Sequence, residues 1–184
     1  AEAEAREALE RGDKRGAVST LMRAYGAVVY RHCRIITGDD AMADDVQQTV
    51  FVQAWRDIDR FGGRSTFKTW LFSIARNRCL DALKAHRRRR ARVSLAHESP
   101  PDVADGGRPV DESMGVEQGR VALEGCLQTL APQVRINVVM RFLEGMSFTD
   151  IARLSRERAG TVQARVSRAL PALRACLEGK GVRL

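Results

Sequence analysis

Apolar residues recur along this chain at helical spacing, and no stretch alternates apolar and polar positions long enough to make a strand. From Ala17 to Thr37 one face carries Val18, Leu21, Met22, Tyr25, Val28, Val29, Cys33 and Ile36. Gly38-Asp39-Asp40 stops that helix, and Asp39 or Asp40 is placed to cap the next. The next helix, Ala41 to Trp55, turns Val46, Val50, Phe51, Ala54 and Trp55 inward and Asp44, Asp45, Gln48 and Thr49 outward. A third helix follows Phe61-Gly62-Gly63-Arg64-Ser65, begins at Thr66 with Ser65 or Thr66 as N-cap, and runs to the neighbourhood of Arg90. Far along the chain, Ser147 to Leu177 reads as two helices joined by a tight turn. Phe148, Ile151, Ala152 and Leu154 line the first, and Val162, Val166, Ala169, Leu170 and Leu173 line the second. The fold class expected is all-α.

The pattern divides the chain into a helical block at residues 5–92, a linker at 93–117 and a second helical block at 118–179. ESPPDVADGGRPVDESMG, within the linker, holds three prolines and three glycines and shows little apolar periodicity. Such a segment cannot bury enough apolar surface to offset its ordering entropy. Between Glu98 and Glu117 it sets six acids against Arg108 alone, directly after the basic run Lys84, Arg87, Arg88, Arg89, Arg90 and Arg92. A solvated tether and an acidic segment that enters a partner's basic channel both fit that segregation.

Charge narrows the partners. Lys and Arg number 31 against 23 Asp and Glu, a net charge of +8 with a pI near 10.0. That balance points to an anionic partner, nucleic acid or an acidic membrane surface. No apolar run approaches the roughly 20 residues that cross a bilayer, and AEAEAREALERGDKRG is charged where a secretory signal is apolar. The expected location is cytoplasmic, without membrane insertion. Cys33, Cys79, Cys126 and Cys176 are scattered and form no C-x-x-C pair, so four reduced thiols are expected and no metal site or cofactor. No phosphate loop or metal-ligand spacing suggests catalysis. Asp44 and Asp45 diverge by about 100° on their helix and cannot face each other as an acid-base pair.

Two segments carry candidate chemistry. Away from its apolar stripe, the last helix offers Gly160, Thr161, Ala164, Ser167 and Arg168, with Gln163 and Arg165 on the flanks. A helix with small, polar and cationic residues on one face suits the DNA major groove. A helical domain that touches no DNA can carry the same face. The second segment is DIDRFGGRSTFKTW, which joins Phe61, Phe67 and Trp70 to Arg60, Arg64 and Lys68, with Ser65 and Thr66 between. Aromatic faces, cations and small hydroxyls are the means of holding unstacked bases. For Trp70 alone core packing is the expectation; for the loop as a unit it is single-strand contact. Arg76, Asn77 and Arg78 continue a cationic path along the following helix.

Taken together and in this order, these motifs resemble the small extracytoplasmic-function group of bacterial RNA polymerase sigma factors. ADDVQQTVFVQAW at Ala43–Trp55 is similar to the helix that docks on the coiled coil of the polymerase's largest subunit. FGGRSTFKTWLFSIARNRCLDALK at Phe61–Lys84 is similar to the segment that opens and reads the minus-10 element. TLAPQVRINVVMRFLEGMSFTDIARL and GTVQARVSRAL resemble region 4 and its minus-35 recognition helix. The resemblance implies two helical domains on a flexible linker and a non-catalytic role. It implies polymerase binding through Asp44, Asp45, Gln48, Thr49 and Phe51. Minus-10 contacts would come from Arg60, Phe61, Arg64, Ser65, Thr66, Phe67, Lys68, Trp70, Arg76, Asn77 and Arg78. Minus-35 contacts would come from Arg158, Thr161, Gln163, Ala164, Arg165, Ser167 and Arg168. Expected partners are core RNA polymerase (the coiled coil, and the flap of the second subunit), promoter DNA and an anti-sigma factor. The chain departs from the family pattern at Thr49, where an acid is usual, at Asp150, where Glu is usual, and in the turn LSRER, which lacks the common glycine. A dimeric helix-turn-helix regulator is the competing reading, though it leaves the first block without a task.

Overall fold

The computed structural model describes residues 1–94 and 112–182, and the expected linker falls mostly outside them. The described residues form helices without strands, as the periodicity implies. The chain divides into two compact units, Ala1–Ala82 and Leu83–Leu184.

Unit 1 begins with α1 (Glu2–Glu10), an element that the charged sequence there does not announce. Only Ala5 and Ala8 of α1 are fully buried, so polar groups hold it to α2 (Lys14–Thr37). Thr20 donates to Glu4 at 3.1 Å and Tyr25 donates to Glu2 at 2.9 Å. In α2, Leu21, Val29, Cys33 and Ile36 are wholly inaccessible to solvent. Their stripe packs on α3 (Asp40–Asp57), whose Val46, Val50, Phe51 and Ala54 face it. The corner between the two helices is built as the sequence suggests. Gly38 adopts the left-handed conformation (φ 74°) and its N–H closes α2 on Arg34, while Asp39 caps α3 through the N–H of Met42.

A short 3-10 turn at Ile58–Arg60 and the loop at 61–66 lead into α4 (Phe67–Ser94). Phe72 of α4 meets the buried His32 ring edge-on at 4.9 Å. The Cys33 thiol hydrogen-bonds Cys79, and this contact together with burial pushes the Cys79 thiol well above its usual pKa. Both stay free thiols. Two inward assignments fail here: Met22 on α2 is 50% exposed, and Trp55 is 43% exposed because it shares the outer face of α3 with Asp45, Gln48 and Val52.

Unit 2 contains α5 (Glu112–Gln128), α6 (Pro132–Phe142), α7 (Phe148–Ser155) and α8 (Ala159–Gly179). α8 packs against all three others. The α5–α6 corner is gathered by Arg135, which is buried and donates to the carbonyls of Gln128 and Leu130 at 3.0 and 3.1 Å. Burial lowers the pKa of that guanidinium. Leu170, expected on the inner stripe of α8, is 38% exposed, while Leu173 and Leu177 complete the buried side.

The expectation of four reduced thiols is wrong for two of them. Cys126 on α5 and Cys176 on α8 form a disulfide with Cα atoms 5.8 Å apart. Fifty residues separate them in sequence, so spacing could not reveal a contact made only when α8 folds back onto α5. Closing a loop of that size restricts the unfolded chain by about 4 kcal/mol. Reductant is therefore expected to lower the melting midpoint of the native chain, and Cys176→Ser to lower it equally while abolishing the response to reductant. A wild-type midpoint indifferent to reductant contradicts this.

Candidate nucleic-acid and polymerase interface

Unit 2 presents a helix-turn-helix, α7 followed by α8. Ser147 caps α7 by accepting the Asp150 N–H at 3.0 Å, and its hydroxyl donates back to the Asp150 carboxylate at 2.6 Å. Asp150, the shorter acid at this position, thus takes part in a reciprocal cap. The turn without glycine closes through Arg156, whose φ of 56° is left-handed. The Glu157 N–H then reaches back to the Ala152 carbonyl at 2.9 Å.

Arg158, which precedes α8, and Thr161, Gln163, Ala164, Ser167 and Arg168 on it are all exposed, as a reading face requires. Arg168 donates to the Ala164 carbonyl at 3.1 Å, which lays its guanidinium along the helix. Pro171 supplies no N–H to the carbonyl of Ser167, one turn earlier on the helix. Arg165 differs from its neighbours. Both its terminal nitrogens pair with Glu157 (3.0 and 2.5 Å), and only a quarter of its side chain is accessible. The Glu157 hydrogen bond raises the guanidinium's pKa. This bidentate pair ties α8 to the turn before it, so Arg165 has a structural task in addition to any DNA contact.

In unit 1 the loop after α3 gathers the expected aromatics. Phe61 stacks on Phe67 with centroids 4.2 Å apart and lies 5.4 Å from Trp70. Phe61 and Trp70 are part-exposed, but Phe67 is wholly buried. Its assignment as a direct base contact is therefore corrected: Phe67 is the floor on which Phe61 rests. Gly63 holds φ 65° at the loop's apex. Arg60, Arg64 and Thr66 are exposed, and Ser65 and Lys68 are partly so.

The cationic path is shorter than the sequence suggests. Arg76 is buried at 8% exposure and donates to the Asn77 side chain at 2.9 Å. Arg78 donates to Gln53 at 2.7 Å and pairs with Asp81 at 3.6 Å. Arg78 thus joins α4 to α3, and Arg76 is not a surface cation. Exposed cations resume at Lys84 and Arg87–Arg90.

α3 presents the third face. Asp44, Asp45, Gln48 and Thr49 are exposed, whereas Phe51 is 4% exposed and belongs to the core, which removes it as a polymerase contact. Two residues were missed. Val52 (51% exposed) and Trp55 (43% exposed) extend the Asp45–Gln48 stripe at helical spacing, and Lys14 lies over the Trp55 ring at 5.3 Å. The signal was available in the periodicity, which puts residues 45, 48, 52 and 55 on one face.

These features define a two-unit helical protein with a helix-turn-helix in one unit and a basic aromatic loop beside a mixed acidic and apolar helix face in the other. Comparison with known proteins agrees. The family models for Sigma-70 region 2 and Sigma-70, region 4 match residues 21–89 and 120–173. The ECF RNA polymerase sigma-E factor of Haemophilus influenzae is 30% identical over 169 residues, covering 89% of this chain and 88% of the relative. Among solved structures, CnrH in complex with the cytosolic domain of CnrY is 27% identical with a TM-score of 0.66, covering 97% of both chains. The sigma factor RpoE in complex with the anti-sigma factor NepR from Bartonella quintana shares the fold, with a TM-score of 0.68 at 21% identity and coverage of 87% and 96%. The chain belongs to the ECF RNA polymerase sigma factors of the sigma-70 family.

A left-handed non-glycine residue costs about 1–2 kcal/mol, of which glycine's unfolded-state entropy returns part. Arg156→Gly is therefore expected to raise stability by about 0.5–1 kcal/mol in urea unfolding, since the Arg156 side chain is exposed. A loss of stability instead would assign the side chain a contact of its own.

Proposed function

We propose that this chain acts as a non-catalytic initiation subunit in the cytoplasm, binding core RNA polymerase and directing it to promoters with a minus-35 duplex element and a melted minus-10 element. The conjunction of three separate surfaces within one member of this family carries the reading. Residues 5–92 serve polymerase docking and minus-10 work, residues 118–179 serve minus-35 work, and residues 93–117 link them. On α3, Asp44, Asp45, Gln48 and Thr49, joined by Val52 and Trp55, meet the coiled coil of the largest subunit, while residues 118–179 meet the flap of the second subunit. Carboxylates and amides pair there with basic groups, and the exposed apolar pair supplies buried area.

Recognition proceeds in two stages. Gln163, Ser167 and Arg168 read base edges in the major groove, Ala164 is sized for a thymine methyl, and Arg158 and Thr161 hold phosphate. Arg165 joins them from its tether on Glu157. After melting, Phe61 and Trp70 stack against extruded bases of the non-template strand while Arg60, Arg64 and Lys68 neutralise its phosphates and Ser65, Thr66 and Asn77 offer polar contacts. Phe67 acts beneath them as support. Control by an anti-sigma factor is supported by the RpoE–NepR complex, whose fold this chain shares.

In vitro transcription with core bacterial RNA polymerase on a genomic fragment library tests the whole reading. Defined new start sites sharing two spaced upstream elements are expected. Their absence, with tight binding of the free chain to a palindromic site, supports a dimeric regulator instead. Two substitutions separate the surfaces. Asp45→Ala with Gln48→Ala is expected to weaken holoenzyme assembly, measured by competition for core polymerase, without changing the melting midpoint. Arg168→Ala is expected to cost about 1–3 kcal/mol in binding of the upstream duplex and to relax preference at one base position.

A further inference from the structure

The minus-10 loop leads directly into the first turn of α4, and that turn carries Lys68 and Trp70. A helix start leaves its first N–H donors without intrahelical partners, and those of Phe67, Lys68 and Thr69 can be traced here. The first intrahelical bond runs from the Trp70 N–H to the Thr66 carbonyl at 3.0 Å. The Thr69 N–H goes to the Thr66 hydroxyl at 3.1 Å. The other two, from Phe67 and Lys68, go to the two oxygens of the Glu2 carboxylate at 2.9 and 3.0 Å. Glu2 lies more than sixty residues away in sequence, on α1. Tyr25 donates a third hydrogen bond to the same carboxylate at 2.9 Å.

The electrostatics agree with this geometry. Partial burial opposes the Glu2 charge, but the backbone donors of Lys68 and Phe67, the Tyr25 hydroxyl and nearby Arg6 outweigh it and hold the carboxyl below its usual pKa. Burial and the Glu2 contact push the Tyr25 hydroxyl up to about 12. A second contact joins the same elements. The Arg6 guanidinium of α1 comes within 3.5 Å of where a Cβ on Gly63 would sit, so α1 also backs the loop's apex.

We propose that Glu2 is a positioning residue for minus-10 recognition: by completing the N-cap of α4 it holds Thr66, Lys68 and Trp70 in the arrangement that receives the melted strand. The inference rests on the assignment of the loop to the minus-10 strand. On this reading α1, which supplies none of the assigned minus-10 contacts, sets the geometry of the reading turn. Glu2 sets an acid against the start of α4 beside a cationic loop, and removing a negative charge near DNA ordinarily tightens binding. The sign of the effect therefore separates positioning from bulk charge.

The test uses the holoenzyme and a forked form of a promoter mapped in the library experiment, with the minus-10 region of the non-template strand single-stranded. A control fragment carries only the upstream duplex element. Glu2→Gln retains shape and one acceptor but turns an amide donor toward a backbone donor. It is expected to weaken fork binding about tenfold and to leave the control unchanged. Tyr25→Phe, a milder change that keeps the carboxylate, is expected to weaken fork binding about two- to threefold. Hydrogen exchange at the Phe67 and Lys68 amides is expected to accelerate in Glu2→Gln. Fork binding by Glu2→Gln that equals or exceeds wild type overturns the proposal while leaving the loop's assignment intact. Equal loss on fork and control also overturns it, making Glu2 a general stabiliser. A wild-type holoenzyme with no preference for the forked strand overturns the loop's assignment and this inference with it.

Discussion

Burial of the α2 stripe is the constraint on which unit 1 depends. Leu21, Val29, Cys33 and Ile36 have no solvent access, and each such side chain is worth about 1.5–3 kcal/mol when removed from water. With α2 held, α3 can pack only one side. Its other side, from Asp45 to Trp55, is left to the solvent and to a partner. The same packing sets where α4 begins, because Phe72 sits on His32 and Cys79 on Cys33. Unit 2 repeats the logic with α8 as its centre, where Val162, Val166, Ala169, Leu173 and Leu177 are buried and the opposite side is exposed.

Polar groups then refine what burial leaves coarse. Arg135 holds the α5–α6 corner, Glu157 holds Arg165, Arg78 ties α4 to Gln53, and Glu2 caps α4. Arg135 and Glu2 satisfy backbone groups at helix ends, where donors and acceptors lack intrahelical partners, whereas Arg165–Glu157 and Arg78–Gln53 join side chains. A protein with net charge +8 thus assigns several cations to its own scaffold. The cations left exposed, among them Arg60, Arg64 and Arg168, are fewer and better placed than composition alone suggests.

Much of the candidate site was legible because helical periodicity reports exposure on a single helix. It placed Asp44, Asp45 and Gln48 outward on α3, and Gln163, Ala164, Ser167 and Arg168 outward on α8. Chemical type misled at Phe67 and Arg76, where it suggested contact with DNA but tertiary packing placed both inside. The inward reading of Trp55 followed its aromatic type, whereas the helical spacing sets it with Asp45, Gln48 and Val52 on the exposed face.

By itself, the sequence determined the all-α class, the order of the main helices, the corner at Gly38–Asp39, and family membership. All of these rest on near neighbours in the chain or on motifs that hold their order. Only the tertiary structure decided that Cys126 meets Cys176, that Cys33 meets Cys79, and that Glu2 completes the start of α4. These pairs stand far apart along the chain, and no local spacing encodes them. Helix docking alone brings them together, because side chains so separated meet only after the apolar stripes have chosen their partners.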